Sequence, residues 1–294
     1  MKILVVGAKG QLGHEIRKQS RLSDHEFIFT DIQGDGEAIM QFDMTDPQQV
    51  QQFVTADMDV IINCAAYNDV EKAEEDEQAA MKVYAYAVGL LADAAKRSDA
   101  LLIHFSTDYV FDGKANAPYT EEDTPNPLSA YGRSKLAGEK AVQDSGCRYM
   151  IFRTSWLYSL SGRNFFKTIA EKCAGSPSIK VVMDQTGTPT NAEDLADFVM
   201  SIIENGMLDK TGLYHYSNDG VASWFDFATA INQELGYTCS VKPCSTSEFP
   251  TKAPRPVYSV MDKKKVKEAF GVEVPHWHRS LQVFVIGYLF SQSE

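Results

Sequence analysis

Short apolar runs alternate along this chain with longer stretches of helical periodicity. Ile3 to Val6 opens the series, followed by Phe27 to Phe29, Val60 to Ile62, Leu101 to Phe105 and Met150 to Phe152. Runs this short, with no polar alternation, predict strands buried on both faces. A first helix is expected from about Gln11, and further helical patterns fall at about 46–54, 71–97, 130–145 and 191–205. Thr45, Asp46 and Pro47 read as a helix start, with proline at an early position. Strand and helix in alternation predict an α/β fold, a Rossmann-type doubly wound parallel sheet covered on both faces. The acidic run E-K-A-E-E-D-E-Q at 71–78 is expected to form the solvated first turns of a long helix. Beyond residue 155 the pattern is more broken, with strands near 178–183 and 213–216 and prolines clustered at 250–256.

After the first strand comes G-A-K-G-Q-L-G, with Gly7, Gly10 and Gly13 in a G-x-x-G-x-x-G spacing. Glycines there permit a tight turn and bring backbone N–H groups at a helix N-terminus close to a pyrophosphate. The second run ends at Thr30 and Asp31, eighteen residues beyond Gly13, where a carboxylate meets the ribose hydroxyls of an adenosine. No Arg or Lys stands between Asp31 and Phe42 to receive a 2′-phosphate, so NADH is expected ahead of NADPH. These features predict a dinucleotide-binding domain over 1–155, with a helix returning at about 190–206. A smaller, interleaved C-terminal substrate lobe is expected over 156–294, closing on the strand ends.

Tyr131 and Lys135 lie four apart in Y-G-R-S-K, on one face of a predicted helix. A nearby ammonium favours phenolate and is expected to lower the Tyr131 pKa, preparing it to give a proton to an oxygen that receives a hydride. Such pairs occur on many solvated helices, and the glycine loop is what gives this one meaning. Ser106 and Thr107 follow the strand Leu101 to Phe105 directly. A hydroxyl there either caps the turn or holds the substrate oxygen that Tyr131 protonates.

Composition sets limits on partners. A hydrophobic content of 44% is that of an ordinary globular chain, and a net charge of −12 argues against nucleic acid as a partner. Cys64, Cys147, Cys173, Cys239 and Cys244 form no C-x-x-C pair, so neither a disulfide framework nor a zinc ribbon is indicated. With a strand at the start and no apolar run of spanning length, neither a secretion signal nor a membrane association is expected, and the expected compartment is the cytoplasm.

The chain resembles the extended short-chain dehydrogenase/reductases over nearly its whole length. The likeness rests on G-A-K-G-Q-L-G at 7–13, N-C-A-A-Y at 63–67, S-T-D-Y-V-F-D-G at 106–113, Y-G-R-S-K-L-A-G-E at 131–139, R-T-S-W-L-Y at 153–158, D-Q-T-G-T-P-T at 184–190 and P-T-K-A-P-R-P-V-Y-S at 250–259. The resemblance implies reduction of the 4-keto group of a dTDP-linked 6-deoxyhexose with NADH or NADPH, giving dTDP-L-rhamnose for surface polysaccharide. It makes Tyr131 the general acid, Lys135 the holder of the nicotinamide ribose and Thr107 the third catalytic residue. Gly7, Gly10, Gln11 and Leu12 would cradle the pyrophosphate, Asp31 the adenosine ribose, and Asp43 with Met44 the adenine. Ala65, Ala66 and Tyr67 would line the dinucleotide, while Asp108, Tyr109, Trp156, Asn164 and Arg255 would meet the sugar nucleotide.

Two departures stand out. Val83 is followed by Tyr84, where the family commonly has an Asn that supports a water path to the lysine. Glu15 and Glu193 match carboxylates that hold magnesium between subunits in some members, but Gly287 replaces the third, so two solvated glutamates are the favoured reading and no metal is expected. H-W-H at 276–278 is read as the start of the last helix. Three functions remain open: this reductase, another nucleotide-sugar 4-ketoreductase or epimerase, and a non-catalytic regulatory subunit. The chain is expected to act as a monomer or homodimer.

Overall fold

The computed structural model describes residues 1–65 and 70–292. Its centre is a sheet of β1 (Lys2–Val6), β2 (Glu26–Asp31), β3 (Met40–Gln41), β4 (Val60–Asn63), β5 (Leu101–Thr107), β6 (Arg148–Thr154) and an edge strand, Gly212–His215. In space the order is Gly212–His215, β6, β5, β4, β1, β2, β3, and every pairing is parallel. The chain winds outward from β1 to β3 and then reverses to β4. That reversal leaves a crevice beyond the carboxyl ends of β1 and β4, the place where ligands bind in open α/β sheets.

Alternate residues of each strand feed opposite layers. Ile3 and Val5 pack with Leu12 and Ile16 of the Gln11–Gln19 helix and with Phe198 and Val199 of the Ala192–Glu204 helix. Leu4 and Val6 point the other way, towards Val50, Val88 and Leu91. Ile103 and Leu102 of β5 divide in the same manner. Both faces being covered, neither can be polar, which is why the runs read as continuous rather than alternating. Local signals start the helices: Asp46 accepts from Gln48 N ahead of Pro47, and Asn191 accepts from Glu193 N.

A separate apolar cluster gathers Tyr158, from the short strand Leu157–Tyr158, with Phe166, Phe227, Trp277 and Phe284, from helices Phe165–Gly175, Trp224–Glu234 and Trp277–Ser291. Beside it Ser178–Val182 pairs in parallel with Ser240–Cys244. His276 caps the last helix by accepting from His278 N, so H-W-H is a helix start. The strand expected near 213–216 belongs to the edge of the main sheet, against β6.

Two expectations are corrected. The continuous helix over 71–97 is broken into Val70–Glu75, Glu77–Met81, a π-helical turn Lys82–Tyr86 and Ala87–Ser98. Asp76 leaves helical geometry (φ −141°, ψ 79°), and its carboxylate caps Ala79 N instead. The acidic residues there are engaged rather than merely solvated. Glu71 takes Arg255 at 3.2 Å and the Lys252 N–H, Glu74 accepts from Ala130 N, and Glu77 pairs with Arg133. Glu15, expected on a solvated surface, is buried where its helix meets Ala192–Glu204, and that burial raises its pKa. Lys18 Nζ stands 2.7 Å from Glu193 and 3.8 Å from Glu15. Among the described residues no group of three His, Cys, Asp or Glu side chains is placed to hold a metal, and no helix is long and apolar enough to cross a membrane.

Candidate active site

A cleft of about 690 Å³ opens beyond the carboxyl ends of β1, β4 and β5. Every site residue named from the sequence lines it, except Ala66 and Tyr67, which lie outside the described residues.

One end of the cleft is the glycine loop. Gly7 has φ 80°, and a Cβ on it would stand 2.6 Å from the Ala65 backbone. A Cβ on Gly13 would meet the Gly7 carbonyl at 2.3 Å, so helix and strand approach only with glycine at both points. Gly10 is the N-cap of Gln11–Gln19 and supplies no side-chain cap, which leaves the helix N-terminus available to an anion. Asp31, at the end of β2, accepts from Lys9 N at 3.0 Å and from Gln33 N at 3.4 Å. Asp43 orders the next turn through Thr45 N at 2.8 Å, and Met44 is buried beside it. This cradle fits the diphosphate and adenosine of a nicotinamide dinucleotide.

At the other end, β5 delivers Thr107 and the Ala130–Ser145 helix delivers Tyr131 and Lys135. Ser129 starts that helix by accepting from Gly132 N, and glycine at 132 is required because a Cβ would lie 2.2 Å from the Tyr109 carbonyl. Thr107 both donates to Asp108 Oδ1 at 3.1 Å and accepts from Tyr109 N at 3.2 Å, so it caps the turn and faces the cleft at once. Tyr109 and Tyr84 set their rings edge-on to Tyr131, at 5.7 and 5.6 Å. Lys135 is buried and donates to the Phe105 carbonyl at 2.5 Å.

The electrostatics differ from the sequence expectation. Burial pushes the Tyr131 phenol up to about 12, with the Thr107 hydroxyl opposing and Asp108 adding to the rise. Burial also pulls Lys135 down to about 8, against Glu139. At neutral pH the protein therefore presents a proton-bearing phenol beside a charged lysine, the states that an acid in a reduction requires.

Trp156 has φ 48°, a left-handed backbone that costs energy for an L side chain, and its indole lies flat on Trp224 with centroids 3.5 Å apart and planes at 7°. Gly187 makes room for that ring, since a Cβ there would fall 2.7 Å from it. Asn164 caps the Phe165–Gly175 helix and donates to Gln11 at 3.1 Å, tying the glycine loop to the start of that helix. Arg255 spends one nitrogen on Glu71, while its Nε has no hydrogen-bond partner among the described residues.

The family described as the RmlD substrate binding domain matches residues 1–289. A dTDP-4-dehydrorhamnose reductase of Burkholderia thailandensis is 36% identical over 97% of this chain and 98% of its own. The chain belongs to the dTDP-4-dehydrorhamnose reductase family. The fold agrees with that membership. The crystal structure of a family member from Clostridium acetobutylicum superposes with a TM-score of 0.91, at 40% identity over 98% of this chain and all of that one. A member from Bacillus anthracis, solved in complex with NADP, gives 0.89 at 34% identity, covering 97% of this chain and 99% of that one.

Beside the residues the family resemblance pointed to, the cleft holds Lys9 and Trp224. Lys9 was visible inside the glycine motif, but its ammonium reaches back to the Gly34 carbonyl at 3.2 Å, in the turn that follows β2, and only the folded loop puts it there. Trp224 opens a helix far along the chain and gave no signal of its own.

Asp108 adds a pH effect. Burial raises its carboxyl to about 7, against hydrogen bonds from Ser259 and Thr107. The fold keeps this proton up to about pH 7, while an unfolded carboxyl releases it near pH 4, so the stability it contributes is fullest below that and is lost as pH rises through about 7. Asp108→Asn, which never ionises, is expected to gain melting temperature over the parent across that window. A difference that stays constant from about pH 4 to about pH 8 would show that Asp108 does not titrate there.

Proposed function

We propose that this protein reduces the C4 keto group of dTDP-4-dehydro-L-rhamnose to dTDP-L-rhamnose, a precursor of surface polysaccharide, with NADH or NADPH. The observation that carries the reading is the meeting of Thr107, Tyr131 and Lys135 at the end of β5, facing an uncapped helix N-terminus across one cleft. Gly7, Gly10, Gln11 and Leu12 hold the pyrophosphate of the dinucleotide, Asp31 the adenosine ribose, Asp43 and Met44 the adenine, and Ala65 the wall beyond β4. Bound reduced nicotinamide supplies the hydride. Thr107 orients the C4 oxygen, Tyr131 gives it a proton, and Lys135 keeps its charge beside the phenol and holds the nicotinamide ribose. Asp108, Tyr109, Trp156 and Asn164 wall the sugar-nucleotide end, where the Nε of Arg255, without a partner among the described residues, suits a diphosphate oxygen. The reaction runs in the cytoplasm, with the chain as a monomer or homodimer.

The test is oxidation of NADH or NADPH by purified protein given the direct dehydratase product or its epimerised form. Turnover only with the epimerised sugar supports the proposal. Interconversion of sugars without net cofactor oxidation would indicate an epimerase, and cofactor binding without turnover a regulatory subunit. Lys9 and Asp31 divide the choice of cofactor. Lys9→Ala is expected to weaken NADPH roughly tenfold while changing NADH little, because an ammonium beside the ribose favours a 2′-phosphate. Asp31→Ala is expected to weaken NADH more than NADPH. Equal losses for both cofactors, measured by fluorescence titration, would remove these two residues from the ribose site.

A further inference from the structure

The helix bearing Tyr131 and Lys135 packs on the π-helical turn Lys82–Tyr86, and Tyr84 is the residue at which they meet. Its carbonyl lies so close to Gly138 that a Cβ there would stand 2.0 Å away. Its ring, 1% exposed, lies under the Lys135 ammonium, 4.8 Å from Nζ to the centroid, and meets Tyr131 edge-on at 81°. A π-helical turn shifts the side chains that follow it relative to a regular helix, and such turns often mark functional sites.

Lys135 needs this support. It is 4% exposed and has three donors, of which the Phe105 carbonyl takes one. The carboxylate nearest it on its own helix, Glu139, is held by Arg153 from β6 and by Ser106 from β5. Among the described residues the other groups around it are His104 of β5, kept neutral by burial, and Tyr131 and Asp108 at the mouth of the cleft. None of them offers Lys135 an uncommitted anion at contact distance. The π-face of Tyr84 does offer negative potential.

We propose that Tyr84 is a positioning residue for the reduction, its ring forming the seat that keeps Lys135 charged and in place beside Tyr131. The consequence for turnover rests on the reductase reading, but the ionisation of Lys135 does not. With Lys135 already pulled down to about 8 by burial, losing the ring would move its ionisation through neutrality.

The experiment is a pH titration of the Lys135 ¹³Cε resonance in protein made with labelled lysine, assigned by its absence in Lys135→Arg. It is paired with the pH profile of kcat. Tyr84→Phe is expected to keep the ionisation, and Tyr84→Leu to lower it by about one pH unit, with the basic limb of kcat moving down by the same amount. Because Tyr84→Leu could unfold the buried turn, phenylalanines with one, two and three ring fluorines at position 84 supply a series of nearly constant shape. A stepwise fall in the Lys135 ionisation with each fluorine is expected. An ionisation unchanged across that series would overturn the proposal, as would Tyr84→Phe alone producing the full shift. If the wild-type protein turns over neither sugar, the reductase reading fails while the titration still decides the role of Tyr84.

Discussion

Tyr131→Phe is expected to lower kcat by a factor of about a hundred or more while leaving the affinity for NADPH nearly unchanged. The substitution removes one oxygen from a ring fixed between Tyr84 and Tyr109, both edge-on to it, so the ring has no reason to move. The proton donor is lost, and Thr107 cannot replace it, since an aliphatic hydroxyl is a far weaker acid than a phenol and can orient the oxygen but not protonate it. On the proposed reading, cofactor affinity depends chiefly on the glycine loop and the end of β2, at the far end of the cleft. Single-turnover kinetics separate the two effects. Unchanged turnover would sink the assignment of Tyr131, and a parallel loss of cofactor binding would mean that the hydroxyl serves the cofactor instead.

The parts of this molecule legible in its sequence are those whose signal is local. Ile3 to Val6 and Leu101 to Phe105 read as strands because covering both faces forces an unbroken apolar run. The glycine loop read as a phosphate cradle because each glycine answers a steric demand within a few residues or across one strand. Tyr131 and Lys135 share a helix, so spacing alone placed them together. What escaped depends on partners far along the chain. The acidic run at 71–78 looked solvated because Arg255, Lys252 and Arg133 stand at least fifty residues away. Glu15 looked exposed because nothing nearby announces the Ala192–Glu204 helix lying over it. Asp76 stopped the predicted long helix by preferring a cap to a turn, a choice that side-chain competition with the backbone makes hard to see in periodicity.

The same distinction applies to the charge of the site. From sequence, a lysine four residues from a tyrosine promised a lowered phenol pKa. In the fold, burial raises Tyr131 to about 12, and the group that opposes the rise is the Thr107 hydroxyl rather than the lysine. The cleft by itself stores the proton on the phenol, and a charged lysine beside it stabilises the phenolate left when that proton departs. Reduction therefore starts from the resting protonation state of the protein.

Behind this pair stands the buried ion pair of Arg153 and Glu139, from which the second large effect is expected. Arg153 Nη2 lies 2.7 Å from Glu139 Oε2 and Nε lies 2.9 Å from Oε1, with both side chains almost wholly buried. The Phe111 ring lies 5.1 Å from the guanidinium carbon, and His215, kept neutral by burial, lies 3.4 Å from Nη1. Arg153→Met leaves the Glu139 carboxylate inside the protein with Ser106 as its remaining hydrogen-bond partner. Such a broken pair costs about 3–5 kcal/mol, which corresponds to roughly 5–10 °C of melting temperature in a chain of this size. Arg153→Met with Glu139→Gln is expected to recover a large part of that loss, because the unpaired charge is what makes the single change expensive. Thermal unfolding of the two variants decides the matter. If the double variant melts no higher than Arg153→Met, the loss comes from the guanidinium's packing on Phe111 rather than from the stranded carboxylate.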